Sequence, residues 1–320
     1  MTTVPRTASP PRPARDCAAA LARTYGRLTA VCEALDVRVA APGTHPFAHP
    51  FPHAFAHPFT HSFAGSPAQQ SVSPGRWIGG AELAGPSDPA EGQGALDAFV
   101  AAEADRIRAG HGHDPRPDVA ASRALHDYLW SVSLLMSGVW YLERRVPRIR
   151  PREVRVDLST GRFEIVPGAG FACLPGDPAA RLPGARVVAG EEALRAELRA
   201  AVADHVRPLL AAIGPRVRRR DRALWGMVTD DLVSGIWYLG RALGEEERAV
   251  REATELLPTA IAPFPGGADF RRLADREGHL HPTRTRLGCC MYYTLDASRA
   301  CATCPRTCDA ERLRRIEGQA

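Results

Sequence analysis

The sequence predicts an α+β protein, a mainly helical body with a small antiparallel β-sheet, followed by a short C-terminal module dense in cysteine. Three observations carry this reading. Apolar residues recur at helical spacing through four long stretches. The period changes to two between Val154 and Ile165. Near the end, Cys289-Cys290, ten residues, then Cys301-Ala302-Thr303-Cys304 place four of the eight cysteines within sixteen positions.

Taken in order, residues 1–90 form a first region. Residues 1–13 are rich in proline and expected to be disordered, and Arg15 to Leu35 carries Cys17, Leu21, Leu28, Val31 and Leu35 as a helical stripe. Cys17 and Cys32 lie on that stripe as small buried apolar groups. From His45 to Phe63, histidine recurs every fourth residue, at His45, His49, His53, His57 and His61. A helix would align these imidazoles for a metal ion, but Pro46, Pro50, Pro52 and Pro58 forbid one. The tract therefore reads as a disordered low-complexity insertion.

Residues 91–257 read as the body. Gly92 to Ala109 and Ser122 to Arg145 are expected helices, the second with Leu125, Leu129, Val132, Met136 and Val139 on one face. Val154, Val156 and Leu158 alternate with polar residues, Ser159-Thr160-Gly161 turns the chain, and Phe163 and Ile165 alternate back, which is a β-hairpin. Arg186 to Ala189 is a candidate third strand. Cys173 stands alone in a Gly/Pro-rich loop, outside the ligand set. Helices follow over Glu191 to Ile213, Asp221 to Leu243 and Glu246 to Leu257. His205 is expected to be a core histidine with satisfied hydrogen bonds. Asp230 and Asp231 are expected on a solvated helix face. Ser137-Gly138-Val139-Trp140-Tyr141-Leu142 is echoed by Ser234-Gly235-Ile236-Trp237-Tyr238-Leu239, which suggests two aromatic helices approaching through Gly138 and Gly235. Residues 258–278, with Pro263, Pro265, Gly266 and Gly267, read as a linker, and residues 279–320 as the cysteine module.

Composition narrows the class. The 320 residues are 45% hydrophobic with a net charge of +5, ordinary for a globular chain and mildly favourable to anionic partners. All 41 basic residues are arginine. No apolar segment follows the N-terminal Pro/Arg/Ala run as a secretory signal would require. The longest apolar run, Tyr128 to Leu142, falls short of the roughly twenty residues of a membrane span. The expected location is the cytoplasm, where clustered thiols point to metal binding rather than disulfides. No G-x-G-x-x-G in a βαβ setting and no phosphate-binding loop motif occurs, so redox equivalents would have to arrive from outside.

Thiolates at this density suit an iron–sulfur cluster or structural zinc. The C-x2-C half is common to both. An adjacent Cys-Cys pair fits poorly with the paired C-x2–4-C knuckles of zinc sites, because neighbouring side chains in extended backbone point to opposite faces. Gly288 is the expected source of the bend that aims both thiols at one centre. A structural zinc site held by four cysteines, in a non-enzymatic protein, stays open as an alternative. So does an iron–sulfur DNA-binding regulator, since Arg216, Arg218, Arg219, Arg220 and Arg222 form a basic run of the kind that meets phosphate. No helix-turn-helix pattern accompanies that run, and nucleic acid is not the expected partner.

Arg286-Leu287-Gly288-Cys289-Cys290-Met291-Tyr292-Tyr293 with Cys301-Ala302-Thr303-Cys304-Pro305 resembles the C-terminal signature of the FhuF-like ferric-siderophore reductases. His205-Val206-Arg207-Pro208-Leu209-Leu210 and Leu224-Trp225-Gly226 are more loosely similar to the helical body of that family. The resemblance implies a C-terminal iron–sulfur module in which Cys289, Cys290, Cys301 and Cys304 hold a [2Fe–2S] cluster. Cys308 is either a spare thiol or a substitute ligand. The resemblance further implies a ferric siderophore as substrate, an external electron donor (a ferredoxin or a flavin reductase) and no acid–base catalytic residue. Arg284, Arg286 and Trp237 are the candidate substrate-contacting residues. The two arginines would also favour the more negative reduced cluster.

Overall fold

The protein is described here by a computed structural model of residues 12–40, 76–85, 92–297 and 300–317. The histidine tract of 45–63, with the metal-binding idea attached to it, lies outside the described residues. Helices are α1 (Arg12–Val31), α2 (Gly80–Ala84), α3 (Gly92–His111), α4 (Pro117–Glu143), α5 (Glu191–Val217), α6 (Asp221–Ala242), α7 (Glu246–Leu256) and α8 (Asp309–Glu317). None of the described helices is long and apolar enough to cross a membrane.

Helix α4 is the axis of the body. Residues on every side of it are buried, from Val119 to Tyr141, and it packs chiefly on α6 and α5, then on α3 and α1. A helix apolar all round belongs in the middle of a bundle, not at its surface. It begins at Pro117, whose fixed φ suits the first helical position, and ends at Arg144 in the left-handed region with φ 53°. The repeated aromatic segments sit in this core. Gly235 of α6 faces Leu134 of α4, whereas the space beside Gly138 is filled by Leu28 of α1, so the two glycines open onto different neighbours. Trp140 is fully buried, and Trp130 packs edge-on against Tyr238 at 5.6 Å. Cys17, Cys32 and Cys173 are all fully buried.

Strands are β1 (Val37–Val39), β2 (Trp77–Gly79), β3 (Arg145–Pro147), β4 (Val154–Asp157), β5 (Phe163–Ile165), β6 (Phe171–Cys173), β7 (Ala185–Val187), β8 (Arg271–Ala274) and β9 (Leu280–Thr283). The expected hairpin is β4–β5, antiparallel with Val156 opposite Phe163. Its turn is held by Asp157, whose carboxylate accepts from the Ser159 amide at 3.0 Å and from both neighbouring hydroxyls, with Gly161 at φ 76°. The sheets depart from a single antiparallel one. A four-stranded sheet of order β1-β5-β4-β2 contains a parallel β1–β5 pair, a second of order β3-β6-β7 contains a parallel β6–β7 pair, and β8–β9 is a separate hairpin. Three-residue strands are too short to display a period, which is why the parallel partners left no mark in the sequence. The stretch 258–278 carries β8 and buries Phe264 and Ala268.

His205 bonds α5 to the rest of the core. Its Nδ1–H donates to the Ile149 carbonyl at 2.9 Å, so Nε2 accepts from the Tyr128 hydroxyl at 3.0 Å. Burial holds this imidazole near a pKa of about 4, against an ordinary 6.5. The unfolded chain takes up the proton near pH 6.5 while the folded one does not until about pH 4, so stability is complete above that window and falls as pH drops through it. Between about pH 6.5 and 5 the loss is about 1.5 kcal/mol. Urea midpoints measured across this range should show the slope in the wild type and a flatter one in His205→Gln.

Candidate iron–sulfur site

The cysteine loop is seated on the first half of α6, and two adjacent carboxylates hold it there. Asp230 and Asp231 have no exposed surface. The Asp230 carboxylate accepts from Arg284 Nη2 at 2.8 Å, from the Leu287 amide at 3.0 Å and from the Gly288 amide at 2.6 Å. Asp231 Oδ1 accepts from Arg286 Nη2 at 2.5 Å and lies 2.8 Å from His126 Nδ1 of α4. Arg284 also donates through Nε to the Ala268 carbonyl at 2.8 Å. Burial raises the Asp230 carboxyl, with Arg286 and Arg284 opposing it. For Asp231 burial is outweighed by His126 and Arg286, which hold it below the usual carboxylate range.

The expectation of a solvated face at Asp230 and Asp231 is therefore corrected. Asp231 stands seven residues after Leu224 and four before Gly235, on the same stripe of α6 that turns inward. The expected exposure of Arg284 and Arg286 to a substrate is corrected with it. Both guanidiniums are buried, because each answers one of these carboxylates. Arg-x-Arg in extended backbone places both side chains on one face, matched to two carboxylates on the facing helix.

Close backbone contact completes the seat. A Cβ at Gly288 would meet Met227 Cγ at 2.8 Å and the Met227 amide nitrogen at 3.0 Å, so the loop lies directly on the helix backbone beside Gly226. Gly288 thus serves contact. The chain also bends at Leu287–Gly288, and again at Met291, which has φ 65°. Helix α8 ties the two halves of the loop together. Arg312, buried, donates to the carbonyls of Arg284 at 2.5 Å, Cys304 at 2.9 Å and Thr307 at 3.0 Å. The Arg286 amide donates to the Thr303 carbonyl at 2.9 Å.

Cys289, Cys290, Cys301 and Cys304 line one recess together with Arg286, Gly288, Tyr292, Tyr293, Ala300 and Pro305. Cys308 is exposed at the start of α8, outside that lining. Burial works to raise the Cys290 thiol, but Arg123, His126 and Arg286 outweigh it and favour thiolate. Cys304 is held at about 6 by a hydrogen bond from Cys301, whose own thiol is pushed up by giving it. Each sulfur has a donor: the Met291 amide to Cys289 at 3.4 Å, Arg123 to Cys290, Thr303 Oγ1 to Cys301 at 3.8 Å and the Arg306 amide to Cys304. The amide that Pro305 lacks is replaced by that of the next residue. Arg286 lines the recess, and its buried Nε makes no hydrogen bond but lies 3.7 Å from Asp230 Oδ2. Among the described residues no three ligating groups close on a single ion. A two-iron cluster does not ask for that, since it takes its four thiolates two to each iron. Four thiols, two inclined to thiolate, with Arg123 and Arg286 beside them, fit an anionic cluster.

Trp237 is not at the recess. It lies ten residues beyond Met227 on α6, about 15 Å of helix rise, packs edge-on against Phe270 at 5.3 Å, and donates through Nε1 to Glu246 at 2.7 Å. Arg123, His126 and Arg312 were not foreseen. The first two could have been noticed as a cation and an imidazole inside an otherwise apolar helix. Arg312 left no signal, because the bonds that hold it run to backbone carbonyls.

The recess fits a cysteine-rich iron–sulfur site, in a helical body with its cysteine loop pressed onto one helix. Residues 286–306 match the family model of the FhuF 2Fe-2S C-terminal domain, which identifies the cofactor as a [2Fe–2S] cluster. That matched stretch contains the four recess cysteines and stops short of Cys308. No curated protein matches the chain. Among solved structures, the aerobactin synthetase IucC from a hypervirulent pathotype of Klebsiella pneumoniae is similar over 57% of this chain and 31% of its own, at 12% identity and a TM-score of 0.39.

Two substitutions test the seat. Asp230→Ala leaves Arg284 buried without its carboxylate and should cost about 3–5 kcal/mol, read as a lowered urea midpoint. Gly288→Val should lift the loop from α6 and reduce iron and acid-labile sulfide per chain, while far-ultraviolet circular dichroism stays that of the wild type.

Proposed function

We propose that the protein is a ferric-siderophore reductase of the cytoplasm, with Cys289, Cys290, Cys301 and Cys304 as cluster ligands. The cluster, when bound, supplies one electron at a time. The chain's own part is to hold the four thiolates, to donate hydrogen bonds to their sulfurs and to keep water from the buried side of the recess. Siderophores bind Fe(III) through hard oxygen donors that hold Fe(II) far more weakly, so reduction alone frees the metal. No proton has to move at the iron, and the recess accordingly needs no acid–base residue.

The observation that carries this reading is the unequal exposure of the ligands. Cys290 and Cys304 are buried, while Cys289 and Cys301 are partly exposed. One edge of the site therefore faces solvent, where a bulky chelate can approach without entering a pocket. Tyr292, Tyr293 and Arg306 border that edge, with the Arg306 guanidinium 4.2 Å from the Tyr293 ring centre. In this reading Arg284, Arg286 and Trp237 shape the protein and do not touch the chelate.

The test is the electron paramagnetic resonance spectrum of dithionite-reduced protein, freed of excess reductant, before and after adding ferric hydroxamate and ferric catecholate complexes. The signal should disappear on addition of at least one of them, with about one Fe(II) captured by a ferrous chelator per cluster oxidised, and Cys308→Ala should behave as the wild type. Persistence of the signal with every complex would overturn the proposal.

A further inference from the structure

The basic turn between α5 and α6 takes no part in the cluster site. Arg218 and Arg220 are exposed, Arg219 is half-buried, and Arg222 is exposed on the first turn of α6. None of the four forms an ion pair with a described residue, although Asp221 stands among them. Arg216, at the edge of the run, is spent on Asp97 at 2.6 Å. Elsewhere the exposed arginines Arg108, Arg116, Arg271 and Arg272 each meet a carboxylate, and others such as Arg23, Arg181 and Arg251 stand singly without an ion pair to a described residue; what sets this turn apart is four such cations within five positions. Arg207, also exposed, lies with its guanidinium 5.3 Å from the Trp225 ring centre and adds to the same side of α6. Arg220 occupies the N-cap of α6 without a side-chain bond to its free amides. The positive end of the helix dipole therefore lies at the same turn as the arginines, with Asp221 the acidic residue of that first turn.

The place of this turn matters as much as its charge. Arg222 precedes Gly226 by one helical turn, about 6 Å of rise, and Leu287 and Gly288 of the cysteine loop lie against Gly226. Leu287 is 43% exposed, one of few large apolar residues left in solvent. An exposed apolar side chain beside the cofactor loop, bordered by unpaired cations, has the anatomy of a protein interface with an apolar centre and a charged rim.

We infer that this face, Leu287 with Arg218, Arg219, Arg220 and Arg222, is the docking surface for an acidic one-electron carrier protein. The inference rests on the reductase reading for its purpose, since it names the source of the electron. The reduced carrier loses one electron and the [2Fe–2S] centre gains it, with no bond made or broken and no proton moved. A protein is favoured over nucleic acid because the cations are confined to one interhelical corner next to the cofactor loop, where they position a redox partner. Unpaired surface charge also accelerates encounter with an oppositely charged partner in a salt-dependent way.

The probe is a strongly acidic plant-type ferredoxin, titrated into the cluster-loaded protein by calorimetry. Wild-type affinity should fall at least about tenfold between about 20 and 200 mM salt, across which the screening length shortens. The triple variant R218E/R220E/R222E should bind at least about tenfold more weakly at the lower salt. Its iron and sulfide content and its dithionite-reduced spectrum should match the wild type. Equal affinity of variant and wild type for the ferredoxin would overturn the inference. So would binding of random-sequence duplex DNA that is tighter than ferredoxin binding and lost in the same variant. Failure of the reduced protein to transfer electrons to ferric chelates would instead defeat the reductase reading and leave these binding results standing.

Discussion

The carboxylate of Asp230 is the constraint on which the arrangement depends. One buried group accepts from a guanidinium two residues before Arg286 and from the two amides that lead into Cys289. Two buried charges repay their desolvation only when geometry is good and further hydrogen bonds satisfy what remains. Here the further bonds come from the backbone of the ligand loop itself. The loop's conformation is therefore written into α6, and α6 cannot bury Asp230 comfortably until the loop arrives. Body and cysteine module are one folding unit in this respect, despite the Pro/Gly-rich stretch between them.

Much of the architecture was legible in the sequence. The 3.6-residue stripes marked α4, α5 and α6, and the change of period marked the β4–β5 hairpin with its Asp157 turn. The density of thiols marked the site, and the mismatch of Cys-Cys with zinc knuckles narrowed its cofactor. What was lost was lost for physical reasons. Asp230 and Asp231 are polar letters at positions a helical stripe reads as interior, and ordinary statistics assign such residues to solvent unless a partner is known. The partners, Arg284 and Arg286, are more than fifty residues away in sequence. Pattern reading works along the chain and does not pair one side chain with another across it. Arg286 and the thiols were correctly suspected of being neighbours, but the size of the local field was not, because the compensating carboxylates were thought to face water.

That compensation bears on redox behaviour. Two guanidiniums and two carboxylates in one buried network approach neutrality, so Arg284 and Arg286 contribute less bias toward the reduced cluster than isolated cations would. The remaining tuning falls to Arg123 at Cys290 and to the amide and hydroxyl donors on the other three sulfurs. Hydrogen bonds to sulfur and net charge are the two protein-controlled terms in such potentials. About 59 mV of a one-electron couple is a factor of ten in equilibrium, so the choice of four modest donors over one uncompensated charge sets the potential in small steps.

An all-arginine basic complement makes position, not residue type, the guide to role. The same side chain is buried and fully engaged at Arg312, buried against carboxylates at Arg284 and Arg286, paired at the surface at Arg271 and Arg272, and without an ion pair at Arg218 to Arg222. Arg312 shows why the guanidinium suits the first of these settings. Its rigid planar fork reaches the carbonyls of Arg284, Cys304 and Thr307 at once, which a single ammonium point on a flexible stem would hold less rigidly. Arg284 precedes the first cysteine pair and Cys304 ends the second, so one side chain fixes the separation of the two halves of the cysteine loop. The loop is thus preorganised by protein bonds alone, and bringing the four cysteine sulfurs to one recess becomes part of the folding equilibrium instead of a cost deferred to cluster assembly.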